Sequence, residues 1–331
     1  MEKTMQKIGL ACVVLIGIIG SIVFFKKRSS SVTGKPRWTI GILQTATHPA
    51  LDDVRKGFMQ VLEEKLGKDI AFVVRNGEGT IGNIHAIAQQ FHARDSIDAI
   101  FAVATPAVQA IASLEKKKPI FIAAVTAPEK LGIMNPKGNI CGTSDMTNVE
   151  QQIESMRLLL PSLKTVSILF SPSEINSVVV AEKMRDVLLK NGITSHPVAI
   201  ITQAEISTAV ISALSKSDAL LAPTDNVVAS AITLIADLAH KARKPLIVSD
   251  NTLVKFGALM AQGVNYFESG KQTGLIAYEV LLHNKAPYQI PIMFSESKEV
   301  FINRQVLQDL GLTIPAALKD RSIVVENERR S

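Results

Sequence analysis

Six short segments of this chain set hydroxyl, amide and acidic side chains directly after apolar runs. They are Gln44-Thr-Ala-Thr-His48, Ala104-Thr-Pro106, Val125-Thr-Ala-Pro128, Ser171-Pro-Ser-Glu-Ile-Asn176, Pro223-Thr-Asp-Asn226 and Ser249-Asp-Asn251. Side chains of these types donate and accept hydrogen bonds and cap helices. Thr105 before Pro106 reads as an N-cap with proline at the first helical position, which leaves the N–H groups of Ala107 and Val108 for an anion. One of the acids Glu174, Asp225, Asp250 or Asp145, the last in Gly142-Thr-Ser-Asp145, can hold an ammonium group. The two features together suit a zwitterionic amino acid. The competing reading is structural, since such residues cap most helices.

Among the histidines only His48 falls at a predicted strand end, where it either donates to a carboxylate or fixes the turn before Pro49. The others, His85, His92, His196, His240 and His283, have no metal-ligand spacing, so neither metal nor cofactor is expected. No Gly-x-Ser-x-Gly elbow supports a hydrolytic triad and no GxxxxGK[ST] loop is present. Gly77-Glu-Gly79 with Gly82 reads as a flexible βα turn. Aromatics make up only 5% of the chain, which leaves few candidates to stack on a ligand ring. Tyr266 is the best of them, ahead of Phe170, Phe256 and Phe267; Trp38 reads as structural.

These segments need elements to hold them. Apolar strands alternate with helical stretches from Trp38 onward, which implies parallel sheets covered on both faces. The pattern occurs twice. Thr39-Ile-Gly-Ile-Leu-Gln44 corresponds to Thr165-Val-Ser-Ile-Leu-Phe170, Asp98-Ala-Ile-Phe-Ala to Asp218-Ala-Leu-Leu-Ala, and Pro119-Ile-Phe-Ile to Pro245-Leu-Ile-Val. Two similar α/β lobes leave a cleft between them, and in open parallel sheets ligands bind outside the carboxyl ends of the strands. The expected division is a first lobe over 38–144, completed by about 257–288, and a second over 145–256, completed by about 289–318. A polar tail over 319–331 is expected to fray.

The formal charge of +6 sits largely in Lys26-Lys27-Arg28 and Arg329-Arg330, and no basic stripe interleaves with aromatics, so a nucleic-acid partner is not expected. Ile8 to Phe25 is an uncharged apolar run, at the margin between a signal-peptide core and a spanning helix. It reads as an uncleaved signal-anchor within residues 1–28, or a cleaved signal, followed by a polar linker over 29–37. Cys12 precedes most of the apolar core and reads as a membrane-buried thiol rather than a lipidation site. Cys141 is left without a disulfide partner.

Ile40-Gly-Ile-Leu-Gln44, His48-Pro-Ala-Leu-Asp52 and Gly57-Phe58 resemble the ABC-transporter substrate-binding proteins of the tryptophan/tyrosine type. The likeness runs on through Ala104-Thr-Pro-Ala107, Gly142-Thr-Ser-Asp145, Ser173-Glu-Ile-Asn-Ser177, Pro223-Thr-Asp-Asn226, Gly257-Ala258, Tyr266 and Gly270-x-x-x-Gly274. It implies an α/β fold like the type I periplasmic binding proteins: two Rossmann-like lobes with parallel sheets, joined by a hinge, behind an N-terminal membrane helix. It also implies contacts to ligand from the loops of Gln44, Thr105, Thr126, Glu174, Asn176, Asp225 and Asp250. The expected activity is capture of an amino acid (tryptophan, tyrosine or phenylalanine) in the bacterial cell envelope, outside the cytoplasmic membrane, and delivery to an ABC permease. A ligand sensor of the same fold, coupled to a signalling partner, is the alternative. Two departures stand out: Ala127 lies between Thr126 and Pro128 where relatives carry an acid, and the N-terminal segment lacks a lipobox.

Overall fold

The apolar runs pair into two sheets. In this computed structural model residues 35–134, 137–294 and 298–328 are described; the expected N-terminal anchor lies outside them. In chain order the first half supplies β1 (Trp38–Gln44), α1 (Pro49–Leu66), β2 (Ile70–Asn76), α2 (Ile81–Ala93), β3 (Ala99–Val103), α3 (Thr105–Leu114), β4 (Ile120–Val125) and β5 (Ile140–Ser144). The chain continues with α4 (Val149–Leu159), β6 (Thr165–Phe170), α5 (Ile175–Lys190), β7 (Thr194–Ala199), α6 (Ile206–Lys216), β8 (Ala219–Ala222), α7 (Asn226–Ser230), α8 (Ile232–Lys241) and β9 (Leu246–Asp250). It ends with β10 (Met260–Val264), α9 (Tyr266–His283), β11 (Met293–Phe294), β12 (Val300–Asn303), α10 (Arg304–Asp309), α11 (Ala316–Lys319) and β13 (Ser322–Val325).

The first sheet runs β2-β1-β3-β4-β5-β11, and all its pairings are parallel. The second runs β7-β6-β8-β9-β10-β12-β13, with only β10 and β12 antiparallel. The repeat in the sequence is therefore a repeat of topology: β1, β3 and β4 occupy the places of β6, β8 and β9. β3 and β4 are buried along their whole length, as strands covered by helices on both faces must be.

The chain crosses between the lobes more than once, which alters the expected partition. Residues 260–264, placed with the first lobe, pair with β9 in the second sheet. The chain returns at once through α9, which packs on α1 in the first lobe. Both helices carry glycine at the contact: a Cβ on Gly57 would lie 2.2 Å from the Phe267 carbonyl oxygen, and one on Gly270 would lie 2.0 Å from that of Val54. Residues 293–294, placed with the second lobe, pair with β5 in the first. The tail does not fray throughout, because β13 forms a parallel ladder with β12. After β8 the helical stretch is two helices, α7 and α8, interrupted at Ala231 (φ −109°, ψ 14°). Among the described residues no helix is long and apolar enough to cross a membrane.

Candidate functional site

The carboxyl ends of both sheets face one cavity. His48, Leu51, Ala104, Ala124, Thr126 and Tyr266 line it from the first lobe, Asn176, Ala222, Thr224, Asp225, Asp250 and Leu253 from the second, and Asp145 from the first crossover. The space open to the centre of a water molecule is about 30 Å³, so the lobes are closed on one another. Two side-chain contacts join them directly: His48 Nε2 to Asn226 Oδ1 at 3.1 Å, and Thr126 Oγ1 to Thr224 Oγ1 at 3.2 Å. A larger groove of about 970 Å³, beside α8 and α10, is open to solvent and is not built from the strand ends. The interlobe cavity is therefore the candidate site.

On the second lobe the acids are held by backbone. Asp225 caps α7: Oδ1 accepts from the Val228 N–H at 2.8 Å, and Oδ2 accepts from the Ser171 N–H and the Ser177 hydroxyl, both at 2.6 Å. Burial pushes its carboxyl up. Asp250 accepts from the Thr252 N–H at 2.8 Å. Burial pushes it up to about 7, opposed by the Thr252 bonds and reinforced by Asp145 and Asp53. Glu174 Oε2 accepts from Asn176 Nδ2 at 3.0 Å, from the Asn226 N–H at 3.1 Å and from Asn226 Nδ2 at 2.6 Å. Burial, with Asp225 close by, pushes Glu174 up to about 7. Glu174 is not among the residues lining the cavity, contrary to the contact implied for it; three donors hold it behind the wall.

The first lobe presents a different surface. Asp145 accepts from the Thr126 hydroxyl at 2.6 Å and from the Tyr266 hydroxyl at 2.9 Å. Burial raises Asp145 even so, and raises Tyr266 well above its ordinary value, with Asp145 and Asp250 adding to the effect. Among the described residues Tyr266 is the one phenylalanine, tyrosine or tryptophan in the lining. His48 is neutral, its pKa lowered to about 4 chiefly by burial. Ala104 and Ala124, both lining residues, have positive φ (74° and 57°), as does Ala127 (51°). Left-handed backbone at non-glycine residues costs on the order of 1–3 kcal/mol and concentrates at functional sites.

Two more expected contacts do not reach the cavity. Gln44 donates to the Ala46 carbonyl and to Asp52, and accepts from Arg55 Nε at 2.8 Å, so its amide is spent organising the start of α1. Thr105 is not the cap of α3; Ala104 is, and the Thr105 hydroxyl instead accepts from the Thr126 N–H at 3.4 Å. The N–H groups assigned to an anion are also used, Ala107 on Thr45 Oγ1 and Val108 on the Ala104 carbonyl. Thr45 is thus a residue that sequence reasoning passed over. It directly follows β1, donates to the Val103 carbonyl at 2.9 Å and accepts from the Ala107 N–H, tying the end of β1 to the end of β3 and the start of α3. Asn226 was passed over too, although its place beside a capping Asp marks it as a helix-start residue facing the cleft.

Two lobes closing over a buried polar cavity at facing strand ends define a solute-binding protein. The sequence places it further: the family model described as "ABC transporter substrate binding protein" matches residues 39–325, and the chain belongs to that family. It is 33% identical over 285 residues to a tyrosine-binding protein of Clostridioides difficile (strain R20291), covering 84% of this chain and 82% of that protein. It superposes with a TM-score of 0.82 on the ABC domain in complex with L-Trp from Streptococcus pneumoniae, at 30% identity, covering 87% of this chain and 99% of that one. Against the ligand-free, open structure of a Clostridium difficile substrate-binding protein with adhesive properties, the TM-score is 0.66 at 32% identity, over 88% of this chain and 100% of that one. At nearly equal identity, this chain is closer to the liganded form than to the open one. The fold is that of the type I periplasmic binding proteins, with two parallel-sheet lobes.

Proposed function

We propose that this chain captures an aromatic amino acid, tyrosine or tryptophan, outside the cytoplasmic membrane and passes it to an ABC permease, with its N-terminal segment as the tether. No bond is made or broken; ligand contacts to both lobes favour the closed state over the open one. The observation that carries the reading is the polarity of the closed cavity. Its lining includes Asp145, Asp225 and Asp250 and, among the described residues, no lysine or arginine; two of the three acids belong to the second lobe, which suits an ammonium group. With no cationic side chain on the wall, helix-terminal N–H groups must take the carboxylate. The start of α1 supplies them: Ala50 and Leu51 are buried beside His48, and the first N–H groups of a helix have no acceptor within it. Tyr266 and the small apolar residues of both lobes form the wall for the ligand's side chain.

The names of the relatives, one a tyrosine-binding protein and one a complex with L-Trp, support the aromatic class. The test is calorimetric titration of residues 37–331, a compact unit of the chain, with tyrosine, tryptophan and phenylalanine. Saturable heat with at least one supports the reading; no heat with any of the three contradicts it.

A further inference from the structure

Two buried acceptors at the site have no protein partner: His48 Nδ1 and Asn176 Oδ1. Both residues line the cavity, one from each lobe, and are 6% and 4% exposed. A buried polar atom without a partner costs about 1–3 kcal/mol, so an unmet pair at a binding site calls for donors from outside the chain.

The two atoms are the ends of one hydrogen-bonded chain. Asn176 Nδ2 donates to the Thr224 carbonyl at 2.9 Å as well as to Glu174 Oε2, so its orientation is set twice. Asn226 Nδ2 meets Glu174 Oε2 alone, and once Glu174 is ionised, above about pH 7, that oxygen only accepts and the Asn226 amide turns its Nδ2 toward it. That leaves both Asn oxygens facing away. Asn226 Oδ1 meets His48 Nε2, which must then be the protonated nitrogen of the neutral ring. His48 Nδ1 is left with a lone pair, and so is Asn176 Oδ1.

Resting on the reading above of an amino-acid ligand, we propose that Glu174 is a positioning residue. It fixes the polarity of Asn226 and through it of His48, while Asn176 is held by Glu174 and the Thr224 carbonyl together, so that the cavity offers two neutral acceptors to N–H donors of the ligand's ammonium group. Recognition of the ammonium is thus shared between the lobes and built on an amide and an imidazole, with Glu174 acting through them. Phenolic or indole donors have the same chemistry, and ligands lacking one source or the other separate the two.

The test uses the full chain in mild detergent. L-phenylalanine, L-tyrosine and 3-(4-hydroxyphenyl)propionate are titrated against the natural protein and against Glu174→Gln, Glu174→Leu and Asn176→Leu. Phenylalanine is expected to bind within about tenfold of tyrosine, and the deaminated compound far more weakly. Asn176→Leu is expected to weaken both amino acids about tenfold and the deaminated compound little. Glu174→Gln retains an acceptor in the same place and keeps most of the affinity; Glu174→Leu frees the Asn226 and His48 arm and loses the part of the affinity that His48 carries, while Asn176 stays held by the Thr224 carbonyl. The ¹⁵N spectrum of the histidine rings, assigned by a His48→Gln variant, reads the polarity without any ligand: His48 Nδ1 unprotonated in the natural protein and in Glu174→Gln, and a tautomer mixture in Glu174→Leu. A protonated Nδ1 in the natural protein, equal losses in Glu174→Gln and Glu174→Leu, or an Asn176→Leu loss shared by the deaminated compound overturns the inference alone. If none of the three compounds binds the natural protein, the amino-acid reading falls and takes the inference with it.

Discussion

At the amino ends of their strands the two lobes are interchangeable. Asp98 accepts the Thr39 N–H at 2.7 Å where β1 begins, and Asp218 accepts the Thr165 N–H at 2.8 Å where β6 begins. At the carboxyl ends they differ. The first lobe meets the cavity with small alanines on left-handed backbone, a neutral histidine, and Asp145 bonded to the Thr126 and Tyr266 hydroxyls. The second meets it with Asp225, Asp250 and an amide pair held by Glu174. Duplication kept the end that only has to hold a sheet together. The end that touches a ligand diverged into a half with one acid, tied to the Thr126 and Tyr266 hydroxyls, and a half with two acids and an amide pair.

Breaking the acidic edge has the largest expected effect. Asp225→Ala strips acceptors from the Ser171 and Val228 N–H groups and the Ser177 hydroxyl, all buried. Chemical denaturation should show a loss of about 3–5 kcal/mol. Stability unchanged within about 0.5 kcal/mol would make Asp225 a free ligand contact and not a cap.

The next effect is on pH. Glu174 and Asp250 stand at about 7 in the folded protein against ordinary values of 4.5 and 3.8. An acid raised on folding stabilises the fold below its unfolded value, and that contribution is lost as pH rises through the folded value. Thermal unfolding of the ligand-free protein should therefore show declining stability from about pH 4 to about pH 7. An ammonium ligand prefers the ionised acids, so affinity should move the other way, rising by up to about tenfold per pH unit toward pH 7 and then levelling. Affinity that falls over this interval would place the cationic end of the ligand elsewhere.

The first lobe offers a smaller effect of opposite sign. Ala104 has φ 74° and ψ 158°, a region open to glycine at little cost. Ala104→Gly should raise stability by about 1 kcal/mol, as strain relief outweighs the added chain entropy of glycine. The least effect is expected at the seam: Thr224→Val removes the hydroxyl that meets Thr126 across the cleft. It should lower affinity by about two- to fivefold, with folding unaffected.

Much of the framework was legible in the sequence because buried parallel strands are apolar runs of fixed spacing. β4 over 120–125 and β8 over 219–222 fall on the repeated runs Pro119-Ile-Phe-Ile and Asp218-Ala-Leu-Leu-Ala. β5 was missed because Ile140-Cys-Gly-Thr-Ser144 has neither an apolar run nor alternation; its place comes from neighbours on both sides. The site was legible as a set of segments, and His48, Thr126, Asp145, Asn176, Asp225, Asp250 and Tyr266 all line the cavity. Which side chains had already found partners was not legible. Gln44 is spent on Arg55 and Asp52, and Glu174 on two asparagines, through contacts that sequence spacing does not encode.

The central claim is that the closed lobes together hold both charged ends of one amino acid. Its most direct test is calorimetry of residues 37–331 with L-tyrosine, with tyramine, which lacks the carboxylate, and with 3-(4-hydroxyphenyl)propionate, which lacks the amine. The whole amino acid should bind at least about 100-fold more tightly than either truncated form, as loss of one charge-assisted contact set predicts. Either truncated form binding as tightly as tyrosine would contradict the account.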